Sequence, residues 1–200
     1  MINLKNKSIG VILGGFSKER DVSLRSGQNI YQALIEMGYN AKKIDPVFDS
    51  ILDANIDIAF IALHGKFGED GTIQSFLELN NIPFTFSDST TSSLTINKVF
   101  TKKLLIKNEI PTPNYQVLIK SQIMEPLNIN FPVIAKPIDE GSSIGIEIFE
   151  DQAQFSKRIV SLMGEADCYL VEEYIKGQEV SVGILQDGPK SVLALPVLGL

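Results

Sequence analysis

Apolar positions along the first eighty residues alternate between two periods. "SIGVIL" (8–13) is a β-branched run that ends in Gly14-Gly15, which reads as a strand entering a tight loop. Leu24, Ile30, Leu34 and Met37 then recur at helical spacing, with Asp21 or Ser23 as the expected cap and Gly38 suited to the end. "NAKKID" (40–45) and "DIAFIAL" (57–63) read as two more strands, and "TIQSFLELN" (72–80) as a second helix. Strand–helix–strand alternation predicts a small parallel sheet with helices on its faces. Ligands of such sheets sit outside the carboxyl ends of the strands. "GGFSKERD" and "HGKFGEDG" both fall there.

The polar stretch "SDSTTSS" (87–93) changes the pattern and marks the expected boundary of the first unit. It offers caps for one helix through "KVFTKKLLIKN". "NYQVLI" (114–119), a polar connection, "FPVIAK" (131–136), "IGIEIF" (144–149) and "CYLVEEYI" (168–175) read as strands and their links. "DQAQFSKRIVSLM" (151–163) reads as an Asp-capped helix. "EVSVGIL" (179–185) and "SVLALPVLGL" (191–200) predict a hairpin around "QDGPK". The chain closes inside an apolar run, from which more chain after Leu200 is expected.

Composition narrows the class. The 200 residues are 44% hydrophobic and 21% charged, as in a soluble globular chain. No apolar run approaches the ~20 residues that span a bilayer, so no membrane partner is expected. The start, "MINLKNKSIGVIL", reads as a first strand and not a signal peptide. A single cysteine, Cys168, excludes an internal disulfide framework and suits a reducing cytosol. A net charge of −6 argues against a nucleic-acid surface, so an anion would have to be bound by local cations and backbone.

Five stretches carry candidate chemistry. In "AKPIDEGSSIG", Lys136 ends a strand and a loop of small residues follows. Glycine lets backbone N–H groups converge on an anion, and serines add donors; the same string also suits a plain hairpin. No Gly-Lys-Ser/Thr closes it, so it is not a Walker loop. In "LVEEYIKGQE", Glu172 and Glu173 point to opposite faces of a strand, and Glu179 follows a glycine turn. Lys98 opens a helix, where a cation opposes the dipole; it either meets an anion or snorkels. His64, the only histidine, follows an apolar strand in "HGKFGEDG", where Asp70 suits a helix start. His64 with Glu69 and Asp70 falls short of a metal cluster. Glu19 lies in a glycine-started loop, where it could meet a substrate ammonium or support a helix start.

In their order and spacing these stretches resemble the D-alanine–D-alanine ligases of the ATP-grasp superfamily. "GGFSKERDVSLRSG" is similar to the family's first motif and "HGKFGEDGTIQ" to its second. "IPFTFSDSTTSSLTINKVFTKKLL" is similar to the third, "FPVIAKPIDEGSSIG" to the strand and phosphate loop, and "LVEEYIKGQEVSVGIL" to the adenine and ribose segment. The resemblance covers nearly the whole chain. It implies an α/β and α+β architecture. A Rossmann-like, pre-ATP-grasp parallel-sheet domain (1–88) would bind D-alanine. The central ATP-grasp subdomain (89–176) and the beginning of the C-terminal one (177–200) would follow.

The resemblance also implies roles. Lys98 and Lys136 would contact nucleotide phosphates. Gly141, Ser142 and Ser143 would close over the transferred phosphoryl group. Glu172 would face the adenine amino group, backbone between Glu173 and Ile175 would read the ring, and Glu179 would bind ribose. Glu19, hydrogen-bonded with Ser142, would hold the first D-alanine's ammonium, with His64 nearby. It implies ATP, with Mg2+ or Mn2+ held by ligands beyond residue 200, a cytoplasmic enzyme of peptidoglycan synthesis, and pairing of two copies through the first domain. A chain ending at Leu200 is expected to have little ligase activity. The alternatives are a D-lactate or D-serine ligase of the same superfamily, or a non-catalytic nucleotide-binding remnant. Two positions depart from the pattern: Phe86 where the family has a turn glycine, and Asn97 where it has aspartate.

Overall fold

The computed structural model describes residues 4–120, 127–186 and 191–200. Its first sheet has β1 (Ser8–Ile12) between β2 (Asn40–Ile44) and β3 (Ile58–Ile61), both parallel to it. A central parallel strand is covered on both faces, and β1 shows this residue by residue. Val11 and Leu13 pack against Leu24, Ile30 and Leu34 of α1 (Arg20–Glu36). Ile12 packs on the opposite face with Ile73 and Leu77 of α2 (Thr72–Leu79). Met37 does not join this core; it is the residue capping the end of α1 and is exposed.

The start of α1 also differs from expectation. Neither Asp21 nor Ser23 caps it; the helix begins after Glu19. Ser23 is fully buried, accepts from the Gly14 N–H at 2.8 Å and donates to the Ala62 carbonyl at 2.7 Å. It ties the ends of two neighbouring strand segments to the helix. Asp70 supports the start of α2 as expected, accepting from Thr72 N–H at 3.0 Å, although Gly71 holds the capping position.

The single helix expected after residue 87 is two: α3 (Ser89–Ile96) and α4 (Lys98–Lys107). Asp88 caps the first. Asn97 breaks the run because it is extended (φ −83°, ψ 103°) and its side chain accepts from Val99 and Phe100 N–H, both at 3.1 Å. That is the capping work an aspartate would do. Phe86, the other departure, has φ 77°, a conformation that favours glycine. It is exposed, with its ring edge-on to Phe60 at 5.8 Å.

The second sheet is antiparallel, in the order β4 (Tyr115–Ile119), β7 (Cys168–Glu173), β5 (Val133–Pro137), β6 (Glu147–Phe149). Residues opposite one another share a face. Val133, Ala135, Tyr169 and Val171 form one face, packed with Phe155, Ile159 and Leu162 of α5 (Gln152–Leu162). Asp151 caps α5 as expected. Ile134 opposite Glu172 and Lys136 opposite Leu170 put a carboxylate and an ammonium on the other face.

The expected hairpin is present. β8 (Val180–Ser181) pairs with β11 (Leu198–Gly199), and β9 (Ile184–Gln186) pairs with β10 (Val192–Ala194), all exposed. Most of its turn, and much of the connection after Ile119, lie outside the described residues.

Gly27 shows how closely α1 approaches the sheet. A Cβ there would sit 2.4 Å from Cβ of Leu13. Gly27→Ala should destabilise the chain by about 1–3 kcal/mol in urea unfolding, through overpacking. Gly177, with nothing within 4 Å of such a Cβ, should tolerate alanine and serves as the control.

Candidate active site

The loop 14–20 carries Glu19 off the end of β1. Arg20 fixes it: Nη1 donates to the Gly15 carbonyl at 2.8 Å, and Nη2 donates to Asp45 Oδ2 at 2.6 Å. Asp45 also accepts from the Gly15 N–H at 3.2 Å. Burial pushes the Asp45 carboxyl up, but the bonds from Arg20 and from Val47 and Gly15 N–H outweigh it and hold it below the usual range. Glu19 is 9% exposed, at the N-terminus of α1, where the dipole favours a negative charge. Its side chain makes no capping bond and is left for another partner.

That partner is Ser142, whose hydroxyl donates to Glu19 Oε1 across 123 positions of sequence. Ser142 and Ser143 both have left-handed backbone, φ 49° and 60°, uncommon for residues with a side chain. The same loop is held twice more. Lys98 Nζ donates to the Glu140 carbonyl, and Lys18 pairs with the Glu140 carboxylate at 2.9 Å. The loop 139–145 thus bridges the first sheet's loops and α4. Gly65 allows the second motif to join them: with φ 64°, a Cβ there would lie 2.4 Å from Glu19 Oε2. A cavity of about 370 Å³ is lined by Phe16, Lys18, Glu19, Lys66, Phe67 and Glu140, among others.

His64 is fixed beside this region. Its Nε2 shares a hydrogen bond with Ser26 Oγ at 2.9 Å, its Nδ1 lies 3.5 Å from Glu69, and its carbonyl accepts from Ser17 at 2.7 Å. A second cavity of about 410 Å³ includes Ser26, His64, Glu69 and Gln74 in its wall.

Lys98 and Lys136 come together on the polar face of the second sheet. Burial, chiefly, and then the charge of Lys136 depress the Lys98 ammonium below the ordinary lysine value. Lys136 pairs with Glu172 Oε1. Glu173 turns the other way, as the strand period requires, and accepts from Asn114 at 3.1 Å. Gly141 lies within the loop, where its carbonyl accepts from Ile144 N–H at 3.0 Å. Ile175 is 67% exposed. Glu179 lies on the exposed hairpin, and its carboxylate has no partner among the described residues.

Lys102 escaped the sequence reading. It is 4% exposed, on α4, and donates to Glu172 Oε2 at 2.6 Å and to Thr112 Oγ1 at 2.8 Å. One signal was present: it follows Lys98 by four residues and so shares its helix face. Among the described residues no group of three or more His, Cys, Asp or Glu gathers as metal ligands. The described side chains alone therefore do not make up the donor set of the implied divalent cation.

A parallel sheet, an antiparallel sheet and a small-residue loop laid between two lysines and a carboxylate make an ATP-grasp arrangement. Comparison with known proteins agrees. The family profile described as D-ala D-ala ligase N-terminus matches residues 39–87, and that described as D-ala D-ala ligase C-terminus matches 104–197. A D-alanine–D-alanine ligase of Syntrophotalea carbinolica is 42% identical over 193 residues, covering 95% of this chain and 63% of that protein. One from Carboxydothermus hydrogenoformans is 44% identical over 200 residues, covering 94% and 64%. The crystal structure of D-alanine–D-alanine ligase from Bacillus anthracis complexed with ATP superposes with a TM-score of 0.75 at 30% identity, covering 94% of this chain and 70% of that one. A second structure of the Bacillus anthracis ligase gives 0.81 at 33%, covering 96% and 64%.

The chain belongs to the D-alanine–D-alanine ligase family. It spans just under two thirds of the two curated relatives named, 63% and 64% of their lengths.

The depressed Lys98 has a consequence for pH. A lysine lowered by burial and a like charge is unfavourable while charged, so this cost to stability is full below its folded value and is relieved as pH rises from there to the ordinary lysine value. A polyphosphate would offset both causes. In an NMR titration the Lys98 side-chain midpoint should lie below the ordinary lysine value and move up when inorganic triphosphate is added. A midpoint that does not move with saturating triphosphate contradicts the site.

Proposed function

We propose that this chain forms the ATP-binding and first-substrate portion of a D-alanine–D-alanine ligase, divided near residues 88 and 176 into a substrate domain and two ATP-grasp segments. The observation that carries the reading is the bridge from Glu19 through Ser142 and Glu140 to Lys98. It joins a carboxylate fit for an ammonium to cations fit for phosphates. The relatives' names and the ATP complex of a solved neighbour support the same assignment.

In this reading Glu19 binds the ammonium of the first D-alanine, with His64 beside it. Lys98 and Lys136 take the phosphates of ATP. Glu172, the backbone from Glu173 to Ile175, and Glu179 take the adenine and ribose. A carboxylate oxygen of D-alanine attacks the γ-phosphorus and ADP leaves, giving an acyl phosphate. The amine of a second D-alanine then attacks the acyl carbon, inorganic phosphate leaves and the amine loses a proton. Phosphoryl transfer is catalysed mainly by positioning and by stabilising charge on the oxygens. The lysines supply that charge. Gly141, Ser142 and Ser143 supply donors and cover the acyl phosphate from water. The divalent cation of such a reaction would add neutralisation of phosphate charge when bound. The dipeptide product would enter peptidoglycan synthesis in the cytoplasm, and two copies would pair through the first domain. No helix among the described residues is long and apolar enough to cross a membrane.

Calorimetric titration of the chain with ATP tests the reading. Binding is expected, weakened about tenfold or more by Lys136→Met, since a charge-assisted bond to phosphate is lost. Glu19→Gln should weaken D-alanine binding while leaving ATP binding near that of the parent chain. No detectable binding of ATP at millimolar concentration would overturn it.

A further inference from the structure

Lys102 is the most deeply buried cation described, and it has no part in the scheme above. Its surroundings differ from those of the two phosphate lysines. It lies on the polar face of the second sheet, with its ammonium 2.6 Å from Glu172 Oε2, 2.8 Å from Thr112 Oγ1 and 4.9 Å from the ring centre of Tyr115. Two hydrogen bonds and a ring face engage its donors, and its side chain is 5% exposed. Its donors are thus committed within the fold. Lys136 is different: its side chain is 22% exposed, and it meets Glu172 through the other oxygen, Oε1. One carboxylate is therefore held from behind by a buried ammonium and touched in front by a more exposed one.

If Lys136 turns to a phosphate, Oε1 is released while Oε2 stays bound. Without Lys102, the same step would leave a buried carboxylate with no counter-charge, a strongly unfavourable arrangement. With it, Glu172 keeps one charge partner, and Oε1 presents lone pairs in a fixed direction. An outward acceptor of this kind favours a base edge that carries an N–H donor. It opposes an edge that carries a carbonyl oxygen, because two acceptors then face each other.

We infer that Lys102 is a positioning residue for Glu172, and that the pair selects a 6-aminopurine nucleotide over a 6-oxopurine one. The inference rests on the proposed placement of ATP. Lys102 touches no substrate; it acts by keeping Oε1 aimed after Lys136 has moved away.

The test compares ATP with inosine triphosphate, which differs at the 6 position of the purine, by equilibrium binding to the 200-residue chain. The parent chain should bind ATP more tightly by about tenfold or more. Lys102→Met should reduce that ratio to about threefold or less. Lys102→Arg, which keeps the charge, should restore most of it. A role in folding alone would weaken both nucleotides together and leave the ratio unchanged, and that result overturns the inference while the nucleotide site stands. A parent chain that binds both nucleotides equally also overturns it. A parent chain that binds neither overturns the nucleotide reading and the inference with it. If Lys102→Met lacks a cooperative melting transition, Thr112→Val takes its place. It removes the neutral partner of Lys102 and should lower the ratio partway, and an unchanged ratio counts against the inference.

Discussion

A buried carboxylate has to be paired, and Glu172 is paired twice. It is 7% exposed at the end of a central strand, with Lys102 from α4 on one oxygen and Lys136 from the adjacent strand on the other. The desolvation of three charges is tolerable only if each keeps a partner at hydrogen-bond distance. That requirement joins α4 to the polar face of the second sheet and sets the direction in which Lys98, one turn earlier, can point. The opposite face, filled by Phe155, Ile159 and Leu162, is ordinary apolar packing and leaves the polar face free for chemistry.

The position of the loop then follows from what Lys98 can reach. Its ammonium takes the Glu140 carbonyl, and this brings the loop of small residues over toward Glu19. The loop's contacts are few and mostly polar: a serine hydroxyl, a backbone carbonyl and one exposed ion pair with Lys18. Exposed pairs of that kind are screened by water and contribute little. A cover held so lightly can open for exchange and still exclude water when a ligand adds its own bonds. Behind it, the Arg20–Asp45 pair and the buried Ser23 keep the loop bearing Glu19 rigid.

Much of this was legible before any coordinates. β-branched runs marked the strands because the pleated sheet rewards them, and the order of five motifs indicated which loops meet. The contact between Glu19 and Ser142 could be expected only from that order, because no local pattern links residues so far apart. Other features were hidden for physical reasons. Ser23 looks like a cap because the residue types that cap helices also satisfy buried strand ends. Asn97 broke a helix that propensity alone continues, since its side chain competes for the backbone N–H groups. Lys102 reads as solvated because lysines usually are, and only its register with Lys98 hinted otherwise. Met37 kept the helical period but fell one residue past the helix end. The positive φ at Phe86 has no trace in its own residue type, and it appears only by contrast with the glycine expected there.

The central claim is that the cleft between the two sheets closes on one nucleotide through the loop 139–145, with the Glu19 loop opposite. Amide hydrogen exchange of the chain, with and without saturating ATP, reads this directly. The account predicts slower exchange in both segments, 14–20 and 138–146, because the loop is held in place while ligand is bound. Protection confined to the surface hairpin 179–200, with both segments unchanged, would contradict it.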